Sequence, residues 1–206
     1  TTGGGYDPRD LVRPRPPQKR GQIRHDLILE TAEALLLEKG ADGFRMSDLS
    51  ERSGVPFGSL YQYFPDRTSV IATLADRYNP LGHRCVADEL DSLRAPDDLR
   101  AVLGRIAVDY YDMFVDHPVM VVLWEATQAD RALQRLDAAD GAHLSGLLFA
   151  AIERVAGEGD VDERRRFCRL VMILIAAAVR DALTMEPDEA RRSLDRFTAL
   201  LPESPD

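Results

Sequence analysis

The sequence predicts an all-α protein, and three observations carry that prediction. Apolar residues recur three and four positions apart over long stretches, the stretches end at Gly or Pro, and no run of alternating β-branched residues separates them. The 206 residues, with 45% hydrophobic and 30% charged side chains, have the usage of one or two globular domains. The longest unbroken apolar run, Leu170 to Val179, is ten residues, well short of the ~20 that a membrane-spanning helix needs. Cys85 and Cys168 stand in apolar contexts and form neither a disulfide framework nor a metal ladder, which points to a reducing cytoplasm.

Taken in order, residues 1–19 hold Gly3, Gly4 and Gly5 with Pro8, Pro14, Pro16 and Pro17, and are expected to form a mobile basic arm. Helices are expected from Arg20. Ile28, Ala32, Leu35 and Leu36 make a first apolar stripe ended by Lys39-Gly40. A short helix runs from Ser47, as its N-cap, to Ser53, and Pro56 opens another that reaches Phe64. The next begins at Thr68 and is expected to stop near Tyr78, before Asn79-Pro80. Further helices are expected over about 96–116, 118–128, 130–156, 162–185 and 187–201, broken most clearly at Gly157-Glu158-Gly159 and Met185-Glu186-Pro187.

The net charge of −9 argues against a polyanion-binding protein only until the chain is divided. Residues 1–70 are neutral, so all the excess acid lies beyond them, and six basic groups (Arg9, Arg13, Arg15, Lys19, Arg20 and Arg24) crowd residues 9–24 against one acid, Asp10.

The most informative stretch is Ser47 to Phe64. Two short helices that cross steeply need a small residue at their contact, a glycine at the turn and apolar residues to lock them. Ser50, Gly54 and Leu60 meet those needs at spacings of four and six, with Leu49, Val55 and Tyr63 completing a small core. This is a helix-turn-helix, whose second helix can lie in a DNA major groove.

At these residues the chain resembles the TetR family of transcriptional regulators. The matching elements are Ile28 and Ala32, Gly40, Gly43-Phe44, Leu49, Ser53-Gly54-Val55, Gly58-Ser59-Leu60-Tyr61-Gln62-Tyr63-Phe64 and Asp66-Arg67. The resemblance implies an N-terminal three-helix DNA-binding domain and a C-terminal helical domain for ligand binding and dimerisation, about nine helices in all. The expected division is an arm over 1–19, a helix-turn-helix domain over 20–68 and a regulatory domain over 69–206. It further implies a homodimer on a palindromic operator of double-stranded DNA, most simply a repressor released by a hydrophobic small molecule. An activator, or a regulator answering to a protein partner, is the alternative.

Physical reasoning distributes the DNA contacts. Ser47 has a hydroxyl and free backbone amides for a phosphate, and Arg45 and Arg67 flank the motif as further phosphate ligands. Tyr61 and Tyr63 have hydroxyls that reach the backbone, Gln62 has the donor–acceptor pair that suits adenine, and Ser59 suits either bases or backbone. Gly58 permits close approach. Phe57 stands where the family commonly has Lys, so the second helix has no basic residue and Phe57 is left to meet a thymine methyl. Charge attraction is then expected from Arg45, Arg52, Arg67 and the arm.

Farther along, the helix around Phe167 to Val179 is apolar on all sides, so one face is expected to meet a second copy. Leu170 and Leu174, with Leu194 and Phe197 on the following stripe, are the expected dimer contacts in a four-helix bundle. If the family pattern holds, residues 83–156 enclose a cavity lined by Tyr110, Tyr111, Met113, Phe114, Met120, Trp124 and Phe149. Asp112 and Glu125 beside these aromatics suggest a cationic ligand, and Thr68–Tyr78 is the expected link between domains. His25, His117 and His143 are expected at the surface or at helix ends. His83, Cys85 and Asp88 lack a clear fourth ligand. No phosphate loop, nucleophile elbow, zinc-protease motif or dinucleotide fingerprint is present, so no catalysis, metal or cofactor is expected.

Overall fold

The computed structural model describes residues 7–204. Residues 1–6, the start of the expected arm, lie outside them. Among the described residues there are nine α-helices and no strand: α1 (Lys19–Gly43), α2 (Met46–Ser53), α3 (Phe57–Tyr63), α4 (Arg67–Leu90), α5 (Leu99–Asp116), α6 (Val119–Ala129), α7 (Arg131–Val155), α8 (Val161–Ala182) and α9 (Pro187–Leu200). No helix among them is long and apolar enough to cross a membrane.

The chain forms two compact units. One contains the described residues up to Asn79 together with His117–Ala138; the other contains Pro80–Asp116 and the described residues from Ala139 on. In the first, α1 packs against α2 and α6. Ile28, Leu35, Leu36, Leu49, Leu60 and Phe64 are sealed from solvent there, so the stripe read from α1 meets the small core of the helix-turn-helix. Gly40, at φ 69° and ψ 175°, breaks the regular part of α1, where Lys39-Gly40 was read as its end. Tyr78, Glu33 and His117 add a polar latch: the Tyr78 hydroxyl donates to Glu33 at 2.6 Å and its ring lies 6.0 Å from His117.

In the second unit α5, α8 and α9 pack on one another. Their closest approach uses Gly104 of α5, where a Cβ would overlap the Thr198 side chain of α9. The buried Arg164 of α8 is neutralised by Glu153 at 2.7 Å.

Several expectations need correction. Arg45, not Ser47, is the N-cap of α2, and the Ser47 hydroxyl points to Asp48 at 3.2 Å. Pro56 is the N-cap of α3 rather than its first-turn residue. α4 does not stop at Asn79-Pro80 but runs through the proline to Leu90. Pro80 removes one intrahelical bond, but the apolar stripe resumes beyond it at Gly82, Val86 and Leu90, all buried, and that spacing of four carries the helix on.

The expected mobile arm is, from Asp7, a packed segment. Leu11 is buried, the Arg13 amide donates to the Thr73 hydroxyl at 2.8 Å, and Arg15 pairs with Asp26. Proline disfavours an α-helix in this stretch but does not prevent docking: Pro8–Leu11 form a 3-10 helix, and the chain runs on from Val12 to α1 as a strap. His25, expected at the surface, is buried with its ring 5.2 Å from Phe64; it follows Ile28 and Ala32 on the inward face of α1.

Candidate nucleic-acid interface

The turn between α2 and α3 depends on Gly54, which ends α2 in the left-handed conformation at φ 66° and ψ 10°. The Ser50 hydroxyl closes the turn by donating to the Val55 carbonyl at 2.8 Å, while Leu49, Val55 and Leu60 are buried beneath it. With Leu60 and Phe64 facing inward, the helical period turns the intervening residues of α3 outward. Phe57, Gly58, Tyr61 and Gln62 are exposed, and Ser59 and Tyr63 are half-buried. The structure thus brings six of the sequence-predicted DNA residues together on one seven-residue helix.

Their chemistry differs along the helix. Gln62 makes no hydrogen bond among the described residues, so both its amide donor and its acceptor are available to a base edge. The rings of Phe57 and Tyr61 lie 4.9 Å apart and form one exposed aromatic surface. At Gly58 a Cβ would meet nothing within 4 Å of the fold, so folding does not require glycine there.

The charged residues around the motif are mostly engaged within the chain. Arg45 is exposed but donates to the carbonyls of Asp42 and Phe44, at the end of α1. Arg67 is turned inward: its Nη2 donates to the Ala41 carbonyl and its Nε is buried without a partner. Arg52, expected to add attraction, pairs with Glu38, and the guanidinium holds that carboxyl below its usual pKa. Lys39 pairs with Asp48 at 2.7 Å, which lowers the pKa of Asp48 and raises that of Lys39. Sequence reasoning places all these cations near the motif, but a long side chain satisfies the nearest acceptor, and that acceptor is legible only after folding.

The expected effector residues divide between the units. Tyr110, Met113 and Phe114 of α5 and Phe149 of α7 belong to the second, and Met120 and Trp124 of α6 to the first. Tyr110 and Phe114 stack at 5.4 Å, Phe114 and Met120 are buried, and Phe149 is covered by the Arg165 guanidinium at 4.9 Å. A cleft of about 410 Å³ opens within the first unit beside Lys39, Arg67, Glu125 and Asp130, and none of these six expected residues lines it. Of the two acids suggested for a cation, Asp112 is neutralised by Arg191, and Glu125 stands on the wall of that cleft.

At the expected dimer surface, Leu170 and Leu174 of α8 are 56% and 43% exposed, with Ile173 between them at 53%. Leu194 is different. It is wholly buried within its own protomer, so it is core rather than contact surface, and Phe197 is half-buried. The period of α9 reveals an apolar stripe, but α9 is covered by the chain's own α5 and α8.

An all-helical chain that displays an uncharged, polar and aromatic helix through a helix-turn-helix belongs to the class of DNA-binding regulators. The family models agree and are more specific. Residues 28–74 match the bacterial regulatory proteins of the tetR family, and residues 97–203 match the tetracyclin repressor-like C-terminal domain. The chain belongs to the TetR family of transcriptional regulators, and is therefore a DNA-binding regulator rather than an enzyme.

Solved structures share the fold at low identity. A putative TetR-family transcriptional regulator from Mesorhizobium loti superposes with a TM-score of 0.64 at 16% identity, covering 88% of this chain and 96% of its own. One from Pectobacterium atrosepticum gives 0.64 at 20%, covering 90% and 93%. The transcriptional regulator FadR from Bacillus subtilis, in complex with stearoyl-CoA, gives 0.62 at 12%, covering 86% and 100%. Comparison with curated protein sequences gave no match.

Proposed function

We propose that the protein is a homodimeric repressor that reads a palindromic operator with two copies of α3 and is released by a hydrophobic small molecule. The observation that carries this reading is the exposed face of α3, where the unpartnered amide of Gln62 stands beside Ser59 and the Phe57–Tyr61 surface. Gln62 pairs with adenine through N6 and N7, Phe57 packs on a thymine methyl, and Ser59 hydrogen-bonds a base edge or the backbone. Gly58 lets the DNA come close. Tyr61, Tyr63, Ser47 and Arg45 hold phosphates and so fix register rather than sequence. Arg45 keeps N–H donors beyond those given to the α1 carbonyls. Arg67 serves by tying α4 to the end of α1.

Two half-sites one helical turn apart, ~34–36 Å, need two recognition helices at the same spacing. A ligand that favours a differently spaced dimer lowers operator affinity by its differential affinity for the two states. Tyr110, Met113, Phe114, Met120, Trp124 and Phe149 are the groups we assign to such a ligand. The likeness in fold to a regulator that holds stearoyl-CoA favours a lipophilic effector.

Selection of duplexes by the full-length protein from a random pool tests the reading. The enriched sequences are expected to form an inverted repeat, and Gln62→Ala is expected to relax one adenine per half-site at a cost of about 1–3 kcal/mol. Enrichment of nothing, or of the same sequences by Gln62→Ala, contradicts it. A panel of lipophilic compounds that includes stearoyl-CoA addresses release. A compound that raises the unfolding temperature is expected to weaken operator binding, and stabilisation without any change in affinity contradicts release.

A further inference from the structure

The exposed face of α3 carries no positive charge; near the motif Lys39 and Arg52 are paired with carboxylates and Arg67 is turned inward, which leaves Arg45 as the exposed cation there. A duplex presents one negative charge per ~1.7 Å of axis, so a regulator must place cations along its backbone. The first turns of α1 hold three more. Lys19, Arg20 and Arg24 are exposed and form no ion pair with any described residue. By contrast Arg9 pairs with Asp7, Arg15 pairs with Asp26, and the Nε of Arg13 is buried.

Arg20 and Arg24 share one surface, and Lys19 stands at the first position of the same helix, turned about 100° from Arg20. Arg20, Ile23, Arg24 and Leu27 lie at i, i+3, i+4 and i+7, all exposed, opposite the buried Ile28, Leu29 and Ala32. That surface adjoins the recognition helix. Gly21, next to Arg20, is so near Tyr63 that a Cβ on it would lie 3.9 Å from the Tyr63 hydroxyl. The docked strap fixes this end of α1, since Pro16 packs on Gly21 and Arg15 grips Asp26. The positive end of the 25-residue helix adds to the field of the three side chains.

We infer that Lys19, Arg20 and Arg24, on the first turns of α1 near Tyr63, bind phosphates and supply the operator attraction that α3 lacks. The inference rests on α3 as the reading helix and adds the partner of a second surface: the sugar–phosphate backbone flanking the bases that α3 reads. Arg15 acts through Asp26 as a positioning residue. The strap thus serves by holding α1.

The test compares two charge-matched variants of the full chain on the selected operator. In one, Lys19, Arg20 and Arg24 become Gln, which keeps helix propensity nearly constant; in the other, the exposed Arg77, Arg131 and Arg135 become Gln. Each lost phosphate contact reduces the slope of log Kobs against log[salt] by about 0.9, and a dimer loses three from each chain, so the α1 variant should flatten the slope by about 5.4 with its base preference intact. The control variant should keep the wild-type slope. Equal flattening by both variants reduces the effect to net charge and overturns the inference, as does an unchanged slope in the α1 variant. Sedimentation with phosphatidylserine vesicles that requires the same three residues, beside an unchanged DNA slope, reassigns the face to a membrane surface and also overturns it. Wild-type protein that binds no duplex at all overturns the reading of α3 instead, and that outcome is visible before any variant is made.

Discussion

Gly58 separates folding from recognition at a single position. Nothing in the fold lies within 4 Å of the Cβ it lacks, and alanine is favoured over glycine in helices by up to about 1 kcal/mol. Gly58→Ala is therefore expected to match or exceed the wild type in thermal unfolding while losing about tenfold, ~1.4 kcal/mol, in operator affinity. Equal affinity would show that DNA does not approach that backbone. Gly54 is the opposite case: its φ of 66° makes Gly54→Ala a folding defect of about 1 kcal/mol or more. The inward residues of this motif were legible in the sequence, because Leu49, Val55, Leu60 and Phe64 follow the helical period. The partners of its polar residues were not. The sequence suggests Ser47 as a cap, but capping depends on where the helix starts, and a start two residues earlier sends its hydroxyl to Asp48.

The gap between α7 and α8 falls within a residue of its expected place, and Gly40 breaks the helical geometry of α1 although the helix is carried on to Gly43. Proline marks the break before α9 as expected, but not the one at Asn79-Pro80. α4 continues because burial of Gly82, Val86 and Leu90 outweighs the bond lost at Pro80. At this scale, Gly104→Ala drives a methyl into Thr198 between α5 and α9 and is expected to destabilise by about 1–3 kcal/mol in urea titration. The α1–α4 latch gives a pH-dependent prediction. Burial, then the hydrogen bond to Glu33, raises the pKa of Tyr78 from 10.0 to about 12. The unfolded chain releases this proton from about pH 10 while the fold holds it to about pH 12, so stability is complete below pH 10 and declines across that window. Tyr78→Phe should lack that part of the alkaline decline and lose about 1 kcal/mol at neutral pH through the missing hydrogen bond. Identical alkaline profiles would show the latch to be unimportant.

For the molecule as a whole, α8 poses the question that one chain leaves open. Its inner face is buried by Val171, Ile175 and Val179, while Leu170, Ile173 and Leu174 stay in water. The sequence showed a helix apolar on every side, and the need for a second covering surface was legible from that alone. Which residues of α9 share in it was not, because Leu194 is covered by its own protomer. We expect Leu170→Glu with Leu174→Glu to yield folded monomers whose operator affinity falls by at least a hundredfold, about 2.7 kcal/mol. The central claim is that two chains, each with one α3, read one site. Light scattering of the purified protein on the selected duplex measures this directly: the account predicts two chains per inverted repeat and loss of the complex in the doubly substituted variant, and one chain bound per duplex with wild-type affinity contradicts it.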